Sequence, residues 1–361
     1  MPERVVVAMS GGVDSSVAAA LLKEKGFDVI GIGLSLVEPG ENAGERSCCG
    51  IASMDDARRV AEKLSIPFYV LNFRDDFRSS VIEYFTTSYV RGETPNPCVP
   101  CNGIIKFDGL MRVALGLEAT CLATGHYARV AFDEGSGRYV LRTGLDDSKD
   151  QSYFLHSLTQ YQLSRAMFPV GELDKNDTRR EARRFGLKVS DKPESQDTCF
   201  IGAEGCGAFV TAFTSQGSES GAILDESGGV IGTHRGLPYY TVGQRHGLGI
   251  SHAEPVYVVD IDPDSNSITV APRARLFRES EVLVDDVNYI SIEPPSGPLE
   301  VSVKTRYGKP AQQASFLPTG AHGATVRFDS PQEPTAPGQS VVSYVGDTVV
   351  AGGIARRKGR L

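Results

Sequence analysis

The run RVVVAMSGGVDS at residues 4–15 determines how the start of the chain folds. Residues 4–9 are rich in β-branched side chains, which predicts a short buried strand that stops at Ser10-Gly11-Gly12. Apolar residues then recur at helical spacing from Val17 to Leu22, until Gly26 can end the helix. The start of the chain is therefore predicted to form a strand, a tight glycine turn and a helix.

The same alternation continues through the first half of the chain. Strands that alternate with helices predict a parallel sheet with helices on both faces, and hence an α/β domain at residues 1–203. Its further elements are predicted as strands at 28–36 and 68–71, a strand end at 122–124, and helices near 54–64 and 178–185.

The pattern changes after Gly202, where helical periodicity nearly disappears. Short β-rich runs separated by turn residues follow, which is typical of small antiparallel barrels. The segment Pro272-Arg273-Ala274-Arg275 is predicted to be a linker. We therefore expect a small central β-rich domain at 204–275 and a C-terminal antiparallel β-barrel at 276–361.

Composition excludes several classes of protein. The chain has 361 residues and a net charge of −8, so a generic polyanion binder is disfavoured, although net charge does not describe local patches. No apolar run is long enough to span a membrane, and seven cysteines, an odd number, do not suggest an extracellular disulfide framework. We expect a cytoplasmic protein with no membrane partner.

The turn Ser10-Gly11-Gly12-Val13-Asp14-Ser15 has the features of a phosphate site. Backbone N–H groups at a helix N-terminus bind anions, two glycines allow close approach, and the serine hydroxyls add donors. Asp14 can cap the helix or hold a magnesium ion. The chain lacks the GxxxxGK[ST] loop here, so this is not the site of kinases and GTPases. The alternative is an ordinary strand, turn and helix with a serine-rich cap.

Two cysteines lie in contexts that favour a reactive thiol. Cys101 lies in TPNPCVPCN (94–102), at or near the start of a helix predicted from Asn102 onward, where the helix dipole stabilises a thiolate. The alternatives are a structural cysteine or part of a zinc site, for which the adjacent Cys48 and Cys49 have poor geometry. Cys199, in the polar loop SQDTCFIG, is either a mobile reactive thiol or a small core residue. Cys121 and Cys206, like Cys48 and Cys49, receive no role.

The turn SGGVDS resembles the loop of the ATP pyrophosphatases, the PP-loop superfamily. Further motifs follow in a fixed order, from residue 4 to about residue 357. They are TGHY (124–127), KDQSYFL (149–155), FPVGEL (168–173), TVGQRHGLG (241–249), KTRY (304–307) and PGQ (337–339). Together with the two cysteine segments, this set resembles the bacterial tRNA-specific 2-thiouridylases.

The resemblance implies an enzyme that uses ATP and Mg²⁺ and takes tRNA as its substrate. The residues implied to bind ATP are Ala8, Met9, Ser10, Gly11, Gly12, Val13, Asp14, Ser15, Leu34 and Gly125. The residues implied to contact tRNA are Asn96, Pro97, Cys98, His126, Lys149, Asp150, Gln151, Arg306, Tyr307 and Gln339.

The resemblance also implies a mechanism, in which ATP adenylates C2 of the wobble uridine so that AMP becomes the leaving group. Cys199 would accept sulfur as a persulfide from a cysteine desulfurase or a sulfur-relay carrier. Cys101 would be the nucleophile that releases this sulfur or engages the activated base, and the reaction would end in a Cys101–Cys199 disulfide.

One position departs from the family pattern. Better-known members carry Asp where this chain has Cys98, and a thiol cannot supply a standing carboxylate at neutral pH. One alternative is therefore an iron–sulfur cluster, such as [4Fe–4S], on Cys98, Cys101 and Cys199. A second alternative is a synthetase of the same superfamily that adenylates a small molecule, and a third is a tRNA-binding or sulfur-carrier module without catalysis.

Overall fold

A computed structural model of the chain describes residues 2–38, 51–193, 198–276 and 278–357. Cys48 and Cys49 lie outside the described residues, as do Ser195, Gln196 and Asp197 of the segment before Cys199. None of the helices in the described parts of the chain combines the length and the apolar character that a membrane crossing requires.

Both strands and helices occur up to residue 193, and they alternate from residue 4 to residue 72. The strands are β1 (Arg4–Ala8), β2 (Asp28–Ser35), β3 (Phe68–Asn72), β4 (Cys121–Ala123), β5 (Ala128–Asp133), β6 (Arg138–Thr143) and β7 (Ala166–Met167). The helices are α1 (Val13–Glu24), α2 (Ile51–Leu64), α3 (Arg74–Phe77), α4 (Glu83–Val90), α5 (Cys98–Pro100), α6 (Met111–Gly116), α7 (Gln160–Leu163) and α8 (Lys175–Arg184). The π-helical segments Arg78–Ile82 and Cys101–Leu110 join α3 to α4 and α5 to α6, and short 3₁₀ turns lie at Ser152–Leu155 and Lys188–Asp191.

The predicted parallel sheet is confirmed, with strand order β3-β2-β1-β4-β7. Alternate residues of β1 face opposite sides of this sheet, because side chains in a strand alternate. Val6 packs into a core with Phe77 and Ile105, whereas Val5 packs on the other face into a core that includes Val17. Helices therefore cover both faces, and the carboxyl ends of all these strands lie at one edge.

The remaining chain is mostly strand but begins with a helix that the sequence analysis missed. This helix is α9 (Gly205–Thr214), with a sequence rich in glycine and threonine that has weak helical preference. It is stabilised by packing instead, since Val210 is fully buried and Phe209 lies 5.3 Å from the ring of Phe200. Tertiary contact has therefore overridden local propensity.

The later strands form two sheets. They are β8 (Gly221–Leu224), β9 (Val230–His234), β10 (Val256–Asp262), β11 (Ser267–Pro272), β12 (Glu279–Asn288), β13 (Leu299–Lys304), β14 (Gln312–Pro318), β15 (Ala324–Gln332), β16 (Ser340–Val345) and β17 (Thr348–Ala355), with 3₁₀ turns at Leu237–Tyr239 and Arg273–Arg275. The central sheet has the order β10-β11-β8-β9, and its β8–β11 pair is parallel, so it is not purely antiparallel as expected. Strands β12 to β17 form the predicted antiparallel barrel, which closes through the β12–β17 pair.

The hairpin β5–β6 extends the barrel although it lies inside the first predicted domain. Strand β6 pairs with β17, and Leu141 lies opposite Val349. One hydrophobic core includes residues of the first predicted domain, such as Tyr153 and Leu158, together with the barrel residues Val342 and Tyr344. The parallel-sheet unit and the barrel therefore share a core.

A buried ion pair also joins these two units. The carboxylate of Asp150 is almost fully buried and accepts hydrogen bonds from the backbone N–H groups of Gly144 and Ser152, at 3.2 and 3.0 Å. Its other oxygen lies 3.1 Å from the ammonium of Lys304, at the end of β13. Asp150 therefore holds the segment before Gln151 against the barrel.

We predict that Lys304→Met destabilises the protein, because the buried carboxylate of Asp150 loses its counter-charge. The expected loss is about 2 kcal/mol, measured as a lower thermal unfolding midpoint. Lys309→Met is the matched control, since Lys309 forms an exposed pair with Glu333 at 3.6 Å and should change stability by less than about 0.5 kcal/mol. Equal midpoints for the two variants would contradict this role.

Candidate active site

A cavity of about 320 Å³ lies at the carboxyl edge of the parallel sheet. It brings together the glycine turn after β1, the end of β4, the helical segment that starts at Cys98, and the segment at Cys199. Residues predicted from the sequence that line it are Ala8, Met9, Ser10, Gly12, Asp14, Ser15, Leu34, Pro97, Cys98, Cys101, Gly125, His126, Gln151 and Cys199. Predicted residues outside its lining are Gly11, Val13, Asn96, Lys149, Asp150, Arg306, Tyr307 and Gln339.

The glycine turn has a fixed shape that depends on close backbone contact. Gly11 has a φ of +70°, and a Cβ at this residue would lie 1.9 Å from the carbonyl oxygen of Ser53 in α2. The hydroxyls of Ser10 and Ser15 lie 3.3 Å apart, and the backbone N–H of Ser10 donates to Ser15 Oγ at 3.2 Å. Gly11 is therefore required for the shape of the turn, although it does not line the cavity.

Gly125 touches the same turn from the other side. A Cβ at Gly125 would lie 2.5 Å from the backbone nitrogen of Ser15 and 2.7 Å from the carbonyl carbon of Asp14. Strand β4 can therefore end directly beside the first turn of α1 only because this residue has no side chain. The N–H groups of that turn are the ones that a helix leaves without intrahelical partners.

Asp14 is held by two residues that the sequence analysis did not select. The ammonium of Lys175 lies 2.7 and 2.9 Å from the two carboxylate oxygens, and the hydroxyl of Tyr127 donates to Oδ1 at 2.8 Å. Asp14 does not cap the helix, whose N-cap is Gly12. Lys175 comes just after the motif at 168–173, so this motif could have pointed to Lys175 as a site residue.

A second lysine, also missed, ties the turn to α2. The ammonium of Lys192 donates to the carbonyl oxygen of Gly11 at 3.0 Å and lies 2.7 Å from a carboxylate oxygen of Asp56. Lys106 is a third cation and lines the cavity itself, where it donates to Asn102 Oδ1 at 2.8 Å. Lys106 therefore lines the cavity, and Lys175 and Lys192 lie beside its glycine turn in pairs with carboxylates, although the whole chain is acidic.

The helix that carries Cys101 begins earlier than predicted. It starts at Cys98, with Pro97 as its N-cap, and the Cys98 N–H donates to Asn96 Oδ1 at 3.1 Å. The Cys101 N–H donates to the carbonyl of Pro97 at 3.2 Å, which places Cys101 in the first turn. The prediction that Cys101 lies near a helix N-terminus is confirmed, but the start at Asn102 is wrong by four residues.

The three cysteines of the cavity differ in exposure. Cys98 is exposed, Cys199 is half-buried, and Cys101 is buried with 9% of its surface accessible. Phe200 fixes the segment after Cys199, since its ring packs edge-on against Phe77 at 5.6 Å and Phe85 at 5.3 Å. Cys199 thus lies beside a well-anchored aromatic residue at the cavity wall.

His126 is a neutral side chain in this environment. Burial, together with the nearby charge of Lys106, lowers the pKa of His126 well below its usual value. Its Nδ1 lies 2.7 Å from the hydroxyl of Thr124. His126 can therefore form hydrogen bonds to a bound molecule, but it does not contribute a positive charge.

The predicted residues of the barrel do not line the cavity, but two of them contact segments that do. The side-chain amide of Gln339 donates to the carbonyl oxygen of Thr94 at 2.6 Å, so it anchors the segment that leads to Cys98. Tyr307 is exposed and packs on Phe154, a cavity residue, with ring centroids 4.4 Å apart. Arg306 beside it is exposed. The buried Asp150 could contact tRNA directly only if its pair with Lys304 opened.

The donor groups of the cavity suit magnesium better than a cluster. Mg²⁺ takes one or two carboxylates and completes its shell with phosphate oxygens and water, so Asp14 alone is a sufficient protein ligand. In the described ranges, no group of three or more His, Cys, Asp or Glu side chains is arranged to hold a metal ion. Cys98, Cys101 and Cys199 therefore line one cavity without the arrangement that an iron–sulfur cluster needs.

Comparisons with known proteins agree along the whole chain. Three family models match consecutive stretches, described as the tRNA methyl transferase HUP domain (3–203), the tRNA methyl transferase PRC-barrel domain (209–272) and the aminomethyltransferase beta-barrel domain (279–355). A Heliobacterium modesticaldum protein named tRNA-specific 2-thiouridylase MnmA is 47% identical over 98% of this chain and 92% of its own length. A Pelotomaculum thermopropionicum protein of the same name is 47% identical over 97% and 96%.

A likeness among solved structures is much weaker. The crystal structure of a 4-thiouridine synthetase–RNA complex with bound ATP matches with a TM-score of 0.35 and 17% identity, over 55% of this chain and 45% of that chain. This similarity is too low to support an argument.

We predict that Gly125→Ala weakens ATP binding by about tenfold or more, because the new methyl group displaces the turn at Ser15. Nucleotide affinity measured by calorimetry checks this result. Gly116→Ala is the matched control, since Gly116 ends α6 and a Cβ there meets no atom within 4 Å. Wild-type affinity in Gly125→Ala would contradict the close contact between β4 and the turn.

Proposed function

This chain belongs to the tRNA-specific 2-thiouridylase family, and we propose that it adenylates C2 of the wobble uridine of tRNA and replaces the oxygen with sulfur. The chain is an ATP-using tRNA sulfurtransferase. The observation that carries the detailed proposal is the single cavity that Asp14, Cys101 and Cys199 line together. An activation site and two thiols in one cavity suit a reaction that first activates a carbonyl and then delivers sulfur.

The two ends of the cavity suit the two ends of ATP. Ile32, Leu34 and Met54 form an apolar wall that can cover an adenine ring. The turn at Ser10 to Ser15 offers N–H and hydroxyl donors for phosphate oxygens. Asp14 would hold a magnesium ion together with the phosphates, and this ion would neutralise part of the phosphate charge. Because Asp14 is paired with Lys175, this lysine would have to share the carboxylate or move to the phosphates.

Activation requires the C2 oxygen of uridine to attack the α-phosphorus of ATP. The bond to pyrophosphate breaks, and the uridine is left with AMP on O2. Lys106 and the neutral His126 line the cavity beside Cys101 and can orient this group by hydrogen bonds. The α-phosphate of such an intermediate carries negative charge, which the cations around the cavity stabilise.

Sulfur transfer then uses the two thiols. The outer sulfur of a Cys199 persulfide attacks C2, and AMP leaves with the original oxygen. The Cys101 thiolate attacks Sγ of Cys199, which releases the sulfur on C2 as 2-thiouridine and forms the Cys101–Cys199 disulfide. Alternatively, Cys101 attacks first and the released hydrosulfide attacks C2. Either route reduces one persulfide sulfur by two electrons and oxidises two thiols. A cysteine desulfurase or a relay carrier would supply the persulfide.

The barrel loop between β13 and β14 is proposed to bind tRNA at the entrance to the cavity. Tyr307 in this loop packs on Phe154 of the cavity lining, and Arg306 is exposed beside it. An exposed guanidinium next to an aromatic face can contact phosphate and a splayed base together. Binding of an acidic protein to tRNA would then depend on this local positive charge and on salt.

We predict that Cys199→Ser abolishes 2-thiouridine, measured by mass spectrometry of tRNA nucleosides, but keeps tRNA-dependent pyrophosphate release. The serine cannot carry a persulfide, whereas activation does not need the thiol. Asp14→Ala should lose both activities. Cys121→Ser is the control that keeps both, because Cys121 lies in β4 outside the cavity lining. Thiolation by Cys199→Ser would contradict the persulfide role, and pyrophosphate release without tRNA would favour a small-molecule synthetase.

We predict that Arg306→Ala lowers tRNA affinity several-fold at moderate salt and reduces the slope of log affinity against log salt by about 1. The reason is the loss of one phosphate contact, and ATP affinity should not change. Filter binding over a salt series measures both effects. Arg327→Ala is the matched control on strand β15, where Arg327 is exposed and pairs with Glu281 at 3.9 Å. Equal salt slopes for both variants would remove Arg306 from the interface.

A further inference from the structure

Cys98 and Cys101 occupy the first turn of one helical segment and line the same cavity as Cys199. Helix geometry separates Cα atoms three residues apart by about 5 Å. Disulfides span Cα distances of about 4.4–6.8 Å, so a bond between Cys98 and Cys101 needs only side-chain rotation and a small adjustment of this turn. The chain therefore holds two thiols in a Cys-x-x-Cys pair and a third thiol in the lining of the same cavity.

The exposure of the three thiols has a consequence for regeneration. The proposed reaction ends in a Cys101–Cys199 disulfide, and Cys101 has only 9% of its surface accessible. A protein reductant must reach one of the two sulfur atoms in line with the bond that it breaks; Cys101 is buried and Cys199 is half-buried, so both are less accessible than Cys98. Cys98 is exposed and lies next to Cys101, so it is the thiol of the pair that an outside protein can reach.

The local structure also favours a thiolate at Cys98. The backbone N–H of Cys98 donates to Asn96 Oδ1, and Cys98 is the first residue of the helical run that continues to Gly116. A thiol at the start of a helix and in a Cys-x-x-Cys pair is the kind of thiol whose charged form is stabilised.

We propose that Cys98 is a third catalytic thiol, which regenerates the enzyme by exchange with the Cys101–Cys199 disulfide. This proposal rests on the sulfur transfer proposed above. The Cys98 thiolate attacks Sγ of Cys101, the bond between Cys101 and Cys199 breaks, and Cys199 leaves as a thiolate that takes up a proton. The new Cys98–Cys101 disulfide holds the same two oxidising equivalents. An external protein dithiol then attacks Cys98, supplies two electrons and two protons, and becomes a disulfide.

The exchange separates two events at Cys199, which are the reduction of its disulfide and the arrival of the next persulfide. Cys199 is free to receive the next persulfide as soon as the disulfide has moved to the exposed side of the cavity. The Cys98–Cys101 disulfide would include the exposed sulfur of Cys98, and exposed disulfides are reduced readily. Cys98 thus acts on the speed of turnover, not on the transfer of sulfur to C2.

The test is to oxidise the full-length enzyme with an equimolar amount of diamide, block the remaining thiols and map disulfides by mass spectrometry. Wild-type protein should show Cys98–Cys101, and Cys98→Ser should show Cys101–Cys199. The oxidised proteins are then reduced by thioredoxin or by a small phosphine, and the ratio of the two rates is compared. We expect this ratio to fall by about tenfold or more in Cys98→Ser. The ratio cancels any general effect of the substitution on the site.

Cys121→Ser is the control and should keep the wild-type ratio, since Cys121 lies outside the cavity lining. Three results would overturn the proposal: only Cys101–Cys199 in the oxidised wild type, equal ratios in wild type and Cys98→Ser, or iron and acid-labile sulfide that bind the wild type and are lost in Cys98→Ser. Failure of the underlying sulfur transfer is detected separately, by thiolation in Cys199→Ser.

Discussion

The contact between Gly125 and the first turn of α1 is the constraint on which the rest of the site depends. Strand β1 pairs with β2 on one side and β4 on the other, so the connections leave this strand in opposite directions. Open parallel sheets bind ligands at such a reversal of strand order, outside the carboxyl ends of the strands. Here the backbone of Gly125 packs directly against the turn at Asp14 and Ser15, and this contact closes one side of the crevice. Any side chain there would push the turn away from β4.

Cys98 and Cys101 are brought to this crevice by a segment that the barrel anchors. The backbone N–H of Thr94 donates to the carbonyl of Pro337 at 2.7 Å. The side-chain amide of Gln339 donates to the carbonyl of Thr94. Cys98 and Cys101 follow this anchored segment. On the other side of the cavity, Asp150 and its pair with Lys304 hold the segment that carries Gln151. The barrel is therefore a structural support of the cavity, and its proposed contact with tRNA is an additional role.

Charge is distributed to suit both nucleotide and sulfur chemistry in an acidic chain. Lys106, Lys175 and Lys192 surround the cavity, but the last two are paired with Asp14 and Asp56. Such pairs keep the cations in place and leave them able to exchange toward phosphate oxygens. Neutral His126 adds hydrogen bonding without further charge. Positively charged side chains therefore lie at this site although the net charge of the chain is −8.

The sequence by itself determined the parallel sheet, the glycine turn and the barrel, because periodicity and turn residues act over short distances. Its motifs also led to the hypothesis that Cys101 and Cys199 are the reactive thiols, and the structure places both in the lining of one cavity. Only the tertiary structure decided that Asp14 pairs with Lys175, that Asp150 is buried, and that α9 is a helix. These features depend on residues far apart in the chain. A carboxylate has the same local pattern whether it faces solvent or a lysine 161 residues away, so only folding distinguishes the two.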